Sequence, residues 1–168
     1  MGFSSMRLYS PAMAISPSIL SPSEGENFDF PGLFSIRTRV TREQTGGTFE
    51  LYDLKIGVAA VDYHVHHLMD ETLCVVEGEI EFTVEGKKFV RQAGSVAFVP
   101  RGVHHGFRNL GPAQARVLIV FNPPTGQADF FRQLRPLVTA SPVDVAAVQA
   151  LQKQFDQELI QPNLVTAG

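Results

Sequence analysis

Between Phe34 and Phe121 apolar residues recur in short runs rich in Val, Ile, Phe and Tyr, separated by the turn pairs Gly46-Gly47, Glu77-Gly78, Glu85-Gly86, Arg101-Gly102 and Gly111-Pro112. β-branched and aromatic runs cut at roughly 8–12-residue intervals predict an antiparallel β-sandwich or barrel. The clearest strand is Glu79 to Val84, where Ile80, Phe82 and Val84 alternate with Glu79, Glu81 and Thr83. Successive side chains of a strand point to opposite faces, so this run has one buried and one wet face. A hairpin at Glu85-Gly86 should return it.

The pattern changes on both flanks. Residues 1–33 are rich in Ser and Pro, with Ser16-Pro17, Ser21-Pro22 and Phe30-Pro31. Proline drives the residue before it toward extended conformations, which predicts an extended N-terminal arm. The barrel is expected over 34–123 and a helical segment over 124–168. Phe130, Phe131 and Leu134 predict a short helix around Ala128 to Leu134. Ser141-Pro142-Val143-Asp144 supplies an N-cap, a first-turn proline and an acid. Val148, Leu151, Phe155 and Leu159 then form one apolar stripe, ended by Pro162, that should pack on the outside of the barrel.

Composition narrows the function classes. Of 168 residues 44% are hydrophobic and 18% charged, the balance of an ordinary globular chain. Fourteen basic against seventeen acidic side chains leave a net charge of −3. The one basic cluster, Arg37, Arg39 and Arg42, is spaced as on a strand, so nucleic acid is not an expected partner. Cys74 stands alone and cannot form an internal disulfide. The apolar stretches of the first twenty residues are interrupted by Pro11, Ser16, Pro17 and Ser18, which argues against a leader or a membrane span. The expectation is a cytoplasmic protein with no membrane association.

Two stretches carry the chemistry. Residues 57–78 read GVAAVDYHVHHLMDETLCVVEG. His64 and His66 lie two apart on a strand and project together, while Val65 and His67 point away. The four residues after His66 allow a tight connection, so Glu71 can open the adjoining strand with Leu73 and Val75 on its own face. Residues 94–109 read GSVAFVPRGVHHGFRN. Pro100 and Gly102 bracket a turn, and the following strand places His105, Phe107 and Asn109 on one face. Three imidazoles and a carboxylate suit one divalent transition metal, Fe, Mn, Ni, Cu or Zn, with positions left open for substrate. His67 and His104 have the wrong parity for ligands, and a register slip that exchanged His104 for His105 is the weak point of this assignment. Asp70 should face away, toward a turn or the surface.

These two stretches resemble the paired motifs of the cupin superfamily, with one extra residue between Gly57 and His64. From Thr45 through Arg132 the chain is similar to bacterial single-domain cupins related to quercetin 2,3-dioxygenases. The resemblance implies an all-β fold, the cupin jelly-roll β-barrel (double-stranded β-helix), with short C-terminal helices packed outside. It also implies a metal held by His64, His66, Glu71 and His105, with Glu71 as the catalytic base. In the family resembled, a flavonol ring is opened by dioxygen with release of carbon monoxide.

The expected activity is therefore a metal-dependent dioxygenase acting on a small phenolic or enol-bearing substrate. The alternatives are a metal-binding cupin with isomerase or lyase activity, or a binding cupin without turnover. Tyr63, Phe82, Phe98, Phe107 and Phe121 are candidate substrate contacts, although a barrel of this size needs aromatics to fill its core in any case. Cys74 shares a face with Val76 and reads as a buried structural thiol. The arm and the exposed edges of a β-sandwich lead to the expectation of a homodimer.

Overall fold

A computed structural model describes residues 15–160. Ten strands come first: β1 (Asn27–Phe30), β2 (Phe34–Val40), β3 (Glu50–Ile56), β4 (Ala60–Val65), β5 (Asp70–Glu77), β6 (Glu79–Val84), β7 (Lys87–Gln92), β8 (Val96–Val99), β9 (His105–Asn109) and β10 (Ala115–Asn122). Two helices follow, α1 (Gln127–Thr139) and α2 (Val145–Gln154), and then a two-residue strand, β11 (Glu158–Leu159). One sheet has the order β1-β2-β3-β10-β5-β8 and the other β11-β4-β9-β6-β7. This is a jelly roll, with the helices at the C-terminal end of the chain, as expected.

Alternation builds it. On β10 Ala115, Val117, Ile119 and Phe121 are buried while Arg116, Leu118 and Val120 face outward. Cross-strand partners Leu54, Tyr52, Leu73 and Val75 lie on the same inner face. The β6–β7 hairpin turns at Glu85 and Gly86, whose φ values are 48° and 74°. Two positive values are what a two-residue turn matched to strand twist requires, which is why glycine suits that place.

The arm behaves partly otherwise than expected. β1 falls within it and pairs antiparallel with β2, so the sheet begins at Asn27 rather than Phe34. Ahead of β1, Arg37 and Arg39 donate to the carbonyls of Ser21, Ser23, Glu24 and Gly25, tying that segment along β2. Residues 1–14 and 161–168, with Pro162, lie outside the described residues.

α1 is longer than the Ala128–Leu134 expected, and its anchors are those three: Phe130, Phe131 and Leu134 are all buried. Phe131 packs against Phe28, Phe30 and Tyr52 with ring centroids 5.8, 6.5 and 5.4 Å apart. Each buried phenylalanine contributes on the order of 1.5–3 kcal/mol. Gly126 precedes the helix without a side chain to cap it. Glu50 on β3 caps it instead, its carboxylate accepting the Gln127 N–H at 3.0 Å. Burial pushes the Glu50 carboxyl up, and that hydrogen bond partly opposes the shift.

α2 begins later than Ser141-Pro142 suggested. Its N-cap is Asp144, whose carboxylate accepts the Ala147 N–H at 3.0 Å and satisfies one of the free amides of the first turn. The stripe also breaks sooner. The helix ends at Gln154, Asp156 turns the chain with φ 61°, and Leu159 sits in β11 opposite His64. Hydrogen bonds to the edge of β4 prevail over the helical period there. Both helices lie outside the barrel wall, across one end of its interior.

Candidate metal centre

His64 comes from the end of β4 and His66 directly follows that strand, while His105, the cross-strand partner of His64, opens β9 in the same sheet. Glu71 comes from β5 in the other sheet, paired with Val99 and Phe121. The connection 66–69 thus crosses from one sheet to the other, where the sequence suggested an adjoining strand. The parity argument holds: Glu71, Leu73 and Val75 share the inner face.

The four residues are at most 4% exposed, and their ligand atoms all lie within 4.8 Å of one another. His64 Nε2 is 3.1 Å from His66 Nε2, His105 Nε2 is 2.8 Å from Glu71 Oε2, and His66 Nε2 is 3.4 Å from the same oxygen. Ligands about 2.0–2.2 Å from a common ion stand about 3 Å apart, so the spacing fits.

Tautomers make the case stronger. His64 Nδ1 donates to Asp62 O at 2.6 Å, His66 Nδ1 to Asp156 O at 2.5 Å and His105 Nδ1 to Val103 O at 3.0 Å. A carbonyl only accepts, so every Nδ1 carries a hydrogen. In the neutral rings each Nε2 then presents a lone pair. Two lone pairs 3.1 Å apart at His64 and His66 repel unless a cation lies between them. Such backbone carbonyls are the usual outer shell that orients histidine ligands.

Burial pushes the His64 imidazole down to about 3, with His105 and His66 adding to the effect. Burial would also lower His105, but its hydrogen bond to Glu71 outweighs this and raises it above 6.5. Burial works to raise Glu71, and the His105 and His66 hydrogen bonds override it, holding the carboxyl well below the usual range. The proton on His105 is therefore the metal's competitor. Below the ordinary imidazole pKa of 6.5 that proton fully stabilises the metal-free fold, a contribution lost as pH rises through the raised pKa. Metal affinity is therefore expected to climb as pH rises from about 6.5 through the raised His105 pKa, with proton release on binding. Calorimetry in buffers of different ionisation enthalpy checks this; affinity independent of pH would contradict it.

The residue that sequence reasoning missed is Asp156. Besides its carbonyl on His66, its carboxylate accepts the N–H groups of His67, Leu68 and Met69 at 2.9, 2.8 and 3.2 Å. It holds the crossing connection from its far side, and Gly102 N–H grips His66 O at 2.6 Å from the other. Asp156→Gly keeps the backbone φ and the carbonyl but removes the carboxylate. Metal affinity should fall about 10- to 100-fold, as for other outer-shell losses. Asp156→Asn, with one acceptor oxygen left, should recover part. Competition with a chelator measures it, and unchanged affinity in Asp156→Gly would remove Asp156 from the centre.

The remaining site candidates divide. Phe107 and Phe121 line a cavity of about 200 Å³ that reaches His64, His66 and Glu71. Its walls include Leu54 and Ile119 from strands and Phe130, Leu134 and Val148 from the helices. Phe82 is buried core, 6.1 Å from Phe107, and is not a wall residue. Phe98 is a correction: it is 64% exposed, because Val99 takes the inward place on β8. Tyr63 is another, since it sits between the inward Asp62 and His64, and its hydroxyl accepts the Gly86 N–H at 3.0 Å. Cys74 faces outward as its parity requires but is only half-buried. His67 pairs with exposed Glu158, and His104 lies against Tyr63. Asp70 accepts from Arg101 at the turn.

The Cupin domain family model matches residues 51–121, the stretch from β3 to β10 that contains all four ligands. Quercetin 2,3-dioxygenase of Bacillus subtilis is 31% identical over 93 residues, 55% of this chain and 27% of that protein. An uncharacterized protein of Streptomyces coelicolor is 39% identical over 74 residues, 44% of this chain and 68% of that one. Among solved structures, KdgF from Halomonas sp. has a TM-score of 0.57 at 23% identity, covering 64% of this chain and 94% of KdgF. The chain belongs to the cupin superfamily, and its buried His/Glu cluster can hold a metal ion. It spans about a quarter of the length of the dioxygenase it matches. Among the described residues no helix is long and apolar enough to cross a membrane.

Proposed function

We propose that the protein is a metal-dependent dioxygenase of the quercetinase-like kind, acting on a small molecule that bears a phenol or enol. The observation that carries this reading is Glu71, a carboxylate 3% exposed among three histidines at the end of an apolar cavity. The metal would supply Lewis acidity toward a substrate hydroxyl and a redox route to dioxygen.

The chain's own residues supply the rest. Glu71 Oε2 accepts the hydroxyl proton, a role for which a carboxylate held ionised beside imidazoles is suited. Phe107, Phe121 and the helix phenylalanines exclude water and give an aromatic ring edge and face contacts. At about 200 Å³ the cavity is smaller than the roughly 300–1,000 Å³ of drug-sized ligand sites, which favours one or two rings over a larger polycycle. Similarity to a quercetin 2,3-dioxygenase supports the same class.

Dioxygen uptake by the metal-loaded protein over a panel of catechols, enols and flavonols tests it. Uptake with release of a ring-opened product supports the reading. Conversion without dioxygen would instead indicate isomerase or lyase chemistry, and binding without conversion a carrier. We place the protein as a homodimer in this reading, because β8 is a sheet edge exposing Val96 and Phe98. A monomer mass by light scattering at micromolar concentration would contradict that.

A further inference from the structure

Two side chains in the cavity wall carry an amide oxygen that has no partner. Gln127 at the start of α1 and Gln152 near the end of α2 are 3% and 8% exposed, and both line the cavity that reaches the metal ligands. The Oε1 atom of each is buried and accepts no hydrogen bond. Two other buried oxygens share that condition, Thr38 Oγ1 and Tyr52 Oη, but neither residue lines the cavity.

The Gln127 amide has a set direction. Its Nε2 donates to Met69 Sδ at 3.2 Å, and its backbone N–H is held by Glu50, so nitrogen faces the sulfur and the carbonyl is left free. A thioether offers only a weak acceptor, which the amide nitrogen satisfies and the oxygen could not. Folded proteins rarely leave a buried carbonyl without a donor, since each such group carries its full desolvation cost. Here two of them, from different helices, border one largely apolar space that Asp62, Gln157 and the metal ligands also line. A ligand that brings a donor of its own would satisfy a carbonyl that the protein leaves unpaired.

We infer that Gln127 and Gln152 are specificity-determining residues of the cavity, and that its ligand is a phenol or enol with a further hydroxyl facing the helices. This rests on the proposed function for the first hydroxyl, which serves the metal and Glu71. The second hydroxyl carries one proton and donates it to one of the two amide oxygens. A ligand lacking it leaves them buried and unpaired, and sites of this construction discriminate strongly against the deoxy analogue.

The test compares catechol with hydroxyquinol, which adds one hydroxyl across the ring, by calorimetry on the metal-loaded full chain under anaerobic conditions. The unmutated protein should bind hydroxyquinol about 10-fold tighter, the size of one hydrogen bond. In the double variant Gln127→Met, Gln152→Met that preference should shrink to within about twofold, with metal content and catechol affinity kept. A second readout separates ligand recognition from a structural role. Methionine removes two unpaired carbonyls, so the melting temperature of the ligand-free variant should hold or rise. Equal binding of the two ligands by the unmutated protein would overturn the inference while leaving the metal reading in place, as would a preference that survives in the double variant. Binding of neither ligand would overturn both.

Discussion

Glu71→Gln protein should retain its metal at least partly and lose turnover by a factor on the order of 10² to 10⁴, the usual contribution of a positioned general base. The two roles of Glu71 can be separated because glutamine preserves the size and one oxygen donor yet cannot accept a proton near neutral pH. His64, His66 and His105 would still present three Nε2 atoms, each oriented by its own backbone carbonyl. The loss should appear in kcat with a substrate found in the dioxygen panel, while metal analysis of the same sample shows occupancy. A variant that is metal-loaded and fully active would remove Glu71 as the base.

His66→Ala should act the other way, on metal occupancy itself. It deletes a ligand atom that lies 3.1 Å from His64 Nε2 and 3.4 Å from Glu71 Oε2, and it leaves the Asp156 carbonyl without its donor. Loss of an outer-shell partner costs about 10- to 100-fold in affinity, and loss of the ligand should exceed the upper end of that range. Secondary structure should survive, because the sheets are held by an apolar core that includes Tyr52, Leu54, Ile56, Leu73 and Ile80. Chelator competition gives the affinity and circular dichroism the fold. Affinity within threefold of the unmutated protein would mean that His66 is not a ligand.

What could be read from the sequence followed from local rules. Strand parity is a property of neighbouring residues, so the inward set of His64, His66, Glu71 and His105 and the outward places of His67, His104 and Asp70 were all accessible from spacing. Phe98 was misassigned because Val96–Val99 has apolar residues on both faces, and composition alone does not say which face is inner. Asp156 was hidden for a different reason. It lies 90 residues from His66, and the spacing of Phe155 and Leu159 continues a helical period past Gln154, where the helix ends. Gln127 and Gln152 carry no signal in the sequence, because only tertiary burial leaves their Oε1 atoms unpaired. Long-range closure, in which the C-terminal segment returns to the edge of β4, is set by tertiary contacts that no short window contains.

The metal is the centre of the account, and its stoichiometry tests it most directly. The purified protein, reconstituted in turn with iron, manganese, nickel, copper and zinc and freed of excess, should carry about one ion per chain for at least one of them, and His66→Ala should not. An unmutated protein that retains none of the five, or a His66→Ala variant that retains the same amount, would contradict a metal centre at these four residues.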